Sequence, residues 1–189
     1  NVLNDQRHVI FSQRKDAMNS DKIFNYSNEF LDEILDNIIK TKVQNSSNLN
    51  NNEFSNKVRT ILGKSVDDKK FFDICSLNNN EFKEKIVEIF NNSRNERIEF
   101  LGNEQSKEVE KRIFLQTLDL NWKSHIQYLE QLRQVIGLRS YGQRDPLIEY
   151  KKEAFELFEN LLEKLKIDFV RILINLKIDN QSQKKNETK

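Results

Sequence analysis

The sequence predicts an all-α fold, in which long amphipathic helices form an antiparallel two-helix hairpin and shorter ones form a small satellite domain. Three observations predict it. Gly (4) and Pro (1) are scarce, so the punctuation that separates strands is missing. Only 37% of the 189 residues are hydrophobic while 32% are charged, which suits elongated helices that bury one stripe and solvate the rest. The apolar residues from Leu115 to Leu176 recur at helical steps of three and four.

In chain order, the first segment runs over 1–43. Val9 and Ile10 belong to an opening helix, and a second stripe follows at Phe30, Ile34 and Ile38 with Leu31, Leu35 and Ile39 beside it. Ser20 and Asp21 mark a break and a fresh N-cap between the two. A polar linker, QNSSNLNNN, opens the second segment, 44–101. Phe54, Val58 and Ile61 then form a stripe closed by Gly63, which the pattern places just past a helix end. Phe71, Phe72, Ile74 and Leu77 make an apolar knot, and Asn78–Asn80 precede a helix carrying Phe82, Ile86, Ile89 and Phe90. This segment reads as the satellite domain.

Gly102 and Asn103 break the chain again, and the third segment, 102–178, carries the strongest pattern. Leu115, Leu118, Trp122, Ile126, Leu129, Leu132 and Ile136 form the outgoing stripe, which Gly137 ends. Asp145 is placed to cap a returning helix whose first residue is the single proline, Pro146, where a missing N–H costs nothing. Leu147, Tyr150, Ala154, Phe158, Leu161, Leu165, Phe169, Ile172 and Leu176 form the returning stripe. Arms of about 32 residues span roughly 48 Å each. Joined by a short loop, they must lie antiparallel to hide their stripes. Residues 179–189 (DNQSQKKNETK) have nothing to bury and read as a disordered tail.

Several functional classes are disfavoured. Lys and Arg (31) balance Asp and Glu (30), so there is no global attraction to nucleic acid or an anionic membrane. No run approaches the ~18–20 apolar residues of a membrane span, and no signal peptide is visible. The single cysteine, Cys75, cannot form an internal disulfide and fits a reducing compartment, as a small core residue. No phosphate-binding glycine loop occurs, so no nucleotide should bind and no cofactor is expected in this chain. His8 and His125 lack metal-ligand spacing, and no nucleophilic triad is patterned. Glu108/Glu110 and Glu153/Glu156/Glu159/Glu163 are expected on the hairpin's outer face, the latter pairing with Lys152, Lys164 and Lys166. The chain opens on Asn1 within helical sequence, as a piece of a longer polypeptide would.

The hairpin tip departs from this bland pattern. Between Glu130 and Asp145 no acid occurs, while Arg133, Arg139 and Arg144 do, and Tyr141 stands between Ser140 and Gly142. A turn that projects an aromatic beside arginines is suited to contacting another chain. The same glycine and aspartate would also serve a turn on which Tyr141 simply packs back.

These residues carry a resemblance. Leu115–Tyr150, LQTLDLNWKSHIQYLEQLRQVIGLRSYGQRDPLIEY, closely resembles the C-terminal signature of the SecA preprotein translocase ATPases, LQTLDxxWxxHLxxMxxLRxGIxLRxYxQxDPxxEYxxE. The opening VLNDQRHVIFSQR is similar to the start of that family's long scaffold helix, VxNxQRxxIYxxR. Val135 stands where the family usually has Gly, and Gly142 where Ala is common. The resemblance implies that 1–43 is the first part of a helical scaffold, 44–101 a helical wing, and 102–178 the returning scaffold with a two-helix finger. It implies motor domains with ATP and magnesium elsewhere in the full-length chain. It further implies a SecYEG channel and unfolded precursors as partners, at the cytoplasmic face of the bacterial plasma membrane. Tyr141 matches the family's fingertip aromatic, with Arg139, Ser140, Gly142 and Arg144 around it.

Two rival readings are a coiled-coil adaptor or oligomerisation module without a motor, and a nucleic-acid binder using Arg133, Arg139 and Arg144. The first accommodates the hairpin but not the pair of motifs. The second rests on three arginines without an extended basic stripe, a weak footprint.

Overall fold

The computed structural model describes residues 2–44, 52–138 and 145–178. Among them every regular element is helical, and no strand occurs, as the all-α reading expects. The helices are α1 (Val2–Met18), α2 (Ile23–Gln44), α3 (Asn52–Leu62), α4 (Asp68–Ser76), α5 (Asn79–Leu101), α6 (Asn103–Val135) and α7 (Pro146–Asn175), with a 3₁₀ turn at Ser20–Lys22 in the break before α2. The chain forms two compact units, Asn1–Phe30 with Glu110–Phe169, and Leu31–Val109 with Val170–Lys189.

The first unit contains most of the hairpin. Phe114 meets Phe169 at 5.2 Å between ring centroids, and His125 meets Phe158 at 5.7 Å. Leu129, Leu132 and Ile136 share a cluster with Ala154. As numbers rise along α6 their partners fall along α7, which is the antiparallel arrangement. Tyr26 and Phe30 join Phe114 and Phe169 in one aromatic group. Ile10 and Ala17 bury the inner line of α1, and Val2 and Leu3 pack on the Leu129 cluster.

Two faces differ from the sequence reading. On α6 the buried line passes through Glu110, Phe114, Thr117, Leu118, His125 and Leu129, while Leu115, Trp122 and Ile126 flank it half-buried. The helix is covered by α1 and α2 as well as α7, so its buried arc is wider than one stripe and includes polar positions. On α7, Leu147 and Ile172 are exposed, and Val170, Leu173 and Ile174 provide the burial expected of Ile172. Glu110 is therefore not on an outer face. It lies four residues before Phe114 on the buried line, is 0% exposed, and accepts a hydrogen bond from Ser27 Oγ. Glu156, Glu159 and Glu163 are solvated, but Lys164 reaches Asp168 and Asn121, and Lys166 lies over the Phe30 ring.

The second unit is held by short helices with well-defined ends. Asp67 and Asn78 cap α4 and α5 by accepting from the N–H groups of Lys70 and Glu81. Gly63 ends α3 with φ of +54°, its N–H donating to Arg59 O. Lys42 Nζ donates to Leu77 O at 2.6 Å, satisfying a carbonyl just past α4, and lies over the Phe54 ring. Arg97, also buried, donates to Leu173 O and Ser93 Oγ. Of the expected apolar knot, Phe71 and Ile74 are buried while Phe72 is 66% exposed. Cys75 is half-buried, and burial raises its thiol pKa, which favours the neutral thiol.

Candidate functional site

The tip residues singled out in the sequence, Arg139, Ser140, Tyr141, Gly142 and Arg144, lie outside the described residues. The structure describes the two helix ends that hold them. Helix α6 ends at Val135 and continues as a 3₁₀ turn over 136–138. Helix α7 begins as its sequence requires: Asp145 Oδ1 accepts from the Leu147 N–H at 2.8 Å, and Asp145 O from the Glu149 N–H at 3.1 Å. Pro146 supplies the first helical residue, where no donor is needed.

These ends are apolar and exposed. Leu138 is 72% exposed, Ile148 62% and Leu147 58%. A cleft of about 510 Å³ opens beside them, lined by Leu3, Leu129, Ile136, Leu147 and Tyr150 together with Glu130 and Arg133. Exposed leucine and isoleucine flanking a loop suit contact with apolar side chains of another molecule better than they suit water.

The same three helices, α1, α6 and α7, share a polar contact that sequence reasoning missed. Gln6 Nε2 donates to Ala154 O at 3.0 Å, and Gln6 Oε1 lies 2.8 Å from His125 Nε2. Since the amide nitrogen is committed to the carbonyl, its oxygen is the acceptor and His125 Nε2 the donor. Trp122 stacks on the imidazole, and Phe158 covers it from α7. Burial lowers the His125 pKa, so the ring is neutral at pH 7. The available signal was positional: Gln6 and His125 each stand four residues before an apolar core position, Ile10 and Leu129.

Among the described residues no group of three or more His, Cys, Asp or Glu side chains is placed to hold a metal ion. No described helix is long and apolar enough to cross a membrane.

Comparison with known proteins gives a consistent result. The family model described as the SecA Wing and Scaffold domain matches residues 1–177. The chain is 68% identical over 177 residues to the protein translocase subunit SecA of Pelagibacter ubique, covering 94% of this chain and 21% of that protein. It is 34% identical over 184 residues to that of Thermodesulfovibrio yellowstonii (97% of this chain, 20% of the relative) and 33% over 180 residues to that of Bartonella bacilliformis (94% and 20%). The chain thus spans about a fifth of the length of these relatives.

Proposed function

The chain belongs to the SecA family, whose wing and scaffold domain it matches, and on that premise we propose that it serves in an ATP-driven motor that moves unfolded precursor proteins through the SecYEG channel. The observation that carries this reading is a family match running through both hairpin arms and the loop between them. In this reading the hairpin is the finger that meets the precursor, and the remaining helices are the scaffold and wing that link it to the motor. Tyr141 is the contact residue, with Arg139, Ser140, Gly142 and Arg144 shaping and charging the tip. The exposed Leu138, Leu147 and Ile148 support it by placing apolar surface at the ends of the two arms.

ATP and magnesium belong to motor domains elsewhere in the full-length protein. No phosphate-binding glycine loop is present in this sequence, so this chain alone binds no nucleotide. The motor works at the cytoplasmic face of the membrane, against the channel.

The test is precursor transport into channel-bearing vesicles by the full-length protein. Tyr141→Ala should abolish transport and leave helicity and basal ATP hydrolysis near wild type, as a residue acting by contact alone would. Tyr141→Phe and Tyr141→Met should retain much of the activity, since apolar bulk is what varied side chains share. Normal transport by Tyr141→Ala would remove this residue from the mechanism.

A further inference from the structure

Gln6 joins three helices with one amide: it sits on α1, donates to Ala154 O of α7 and accepts from His125 of α6. All three residues are buried. The junction lies towards the loop end of the hairpin, with roughly 12 Å of α7 separating it from Pro146 and roughly 15 Å of α6 separating it from Val135, at 1.5 Å per residue.

Packing alone would not fix α1 lengthwise. Val2 and Leu3 touch the hairpin through apolar, non-directional contacts, and the Arg14–Asp119 ion pair between α1 and α6 is solvent-exposed, where such pairs contribute little. A slide of one helical turn, about 5.4 Å, exchanges one apolar neighbour for another. Hydrogen bonds do not tolerate this, because bonds of 2.8 and 3.0 Å are lost when such a slide stretches them. Gln6 makes one as donor and one as acceptor, to different helices, so neither sliding nor rotation of α1 preserves both. A single buried polar side chain that sets the register of packed helices is the best-attested use of such groups.

We infer that Gln6 is a positioning residue that fixes the axial register of α1 against both arms of the hairpin, so that a load at the loop moves α1 with it. This rests on the reading of the hairpin as the precursor-contacting finger and names the residue through which its movement is passed on. Gln6 itself touches neither precursor nor nucleotide.

The test uses the full-length protein with channel-bearing vesicles. Gln6→Met keeps the length of the side chain and removes both hydrogen bonds. Combining it with His125→Phe also removes the imidazole N–H left without its acceptor, and replacing both partners by apolar groups of similar shape costs little stability. In both variants basal ATP hydrolysis and the KM for precursor should stay near wild type. The precursor-stimulated kcat should fall by about fivefold or more, the lower end of usual coupling between sites. Undiminished stimulation in the double variant overturns the proposal. So does a parallel fall of basal and stimulated rates with loss of helicity, which is what a purely structural role gives. Tyr141→Ala, measured alongside, separates the two ideas. Normal transport by Tyr141→Ala with lost stimulation in Gln6→Met would sink the finger reading and leave the register role. Blocked transport by Tyr141→Ala with wild-type behaviour in Gln6→Met would do the reverse.

Discussion

Ser27 Oγ donates to Glu110 Oε2 at 2.9 Å, joining α2 to α6 where neither side chain reaches water. Without Glu110 the Ser27 hydroxyl still has the Ile23 and Phe24 carbonyls as acceptors, whereas without Ser27 a buried carboxylate loses a donor. Ser27→Ala should therefore cost about 1–3 kcal/mol, and Glu110→Ala should cost less through this bond. The double variant should cost less than the two singles together, because the bond can be lost only once. Urea denaturation of the four proteins measures the coupling, and strict additivity would mean that the bond contributes nothing.

The hairpin core gives a second contrast. Leu129 and Leu161 are buried on facing arms, so Leu129→Ala or Leu161→Ala should cost roughly 2–5 kcal/mol. Glu156 is exposed on α7, and Glu156→Ala should change stability by no more than about 0.5 kcal/mol. Equal effects in both classes would contradict the assigned faces.

Gly63 is constrained twice. Its φ of +54° disfavours any side chain, and a Cβ placed there would lie 2.8 Å from Asn175 Oδ1. Asn175 cannot move freely, because its Nδ2 donates to Ile61 O at 3.1 Å. Gly63→Ala should destabilise by more than the ~1–2 kcal/mol of the backbone conformation alone. With Asn175 already changed to Ala, the same substitution should cost only that backbone part. Thermal melts of both backgrounds test this, and an identical cost in each would show that the side-chain collision is harmless.

Protonation of His125 should weaken the fold. Burial depresses its pKa in the folded state, so the unfolded chain takes up the proton first as pH falls. The contribution is fully present above the unfolded value, about 6.5, and is lost as pH falls from there through the folded pKa. Stability measured by denaturant at pH 7.5 and 5.5 should drop more in the wild type than in His125→Phe. An equal drop in the two would assign the effect to other groups.

Helix positions and ends were legible in the sequence because they depend on local chemistry. Asp145 and Pro146 start α7, Asn78 starts α5, and Gly63 and Gly102 close α3 and α5, each by a rule that acts within a few residues. The orientation of α6 was only partly legible. Periodicity finds an apolar stripe, but a helix covered by three others buries an arc that takes in Thr117, His125 and Glu110. Whether a polar side chain on that arc is satisfied depends on partners such as Gln6 and Ser27, which lie 119 and 83 residues away in the chain. No local pattern encodes that pairing. The tip residues were singled out by composition and family resemblance, and the structure adds the apolar helix ends on either side.

The same separations set an order of assembly. Ile136 and Ala154 are near neighbours in sequence, so α6 and α7 can zip together from the loop outward at small entropic cost. Gln6 and Ala154 are 148 residues apart, and α1 cannot make this bond to α7 until the residues between them have been made. On a ribosome adding 5–20 residues per second, that is a wait of roughly 7–30 s. Throughout it Gln6 lacks one or both of its partners, His125 and Ala154. The amide that fixes register in the finished protein therefore joins helices made far apart in time.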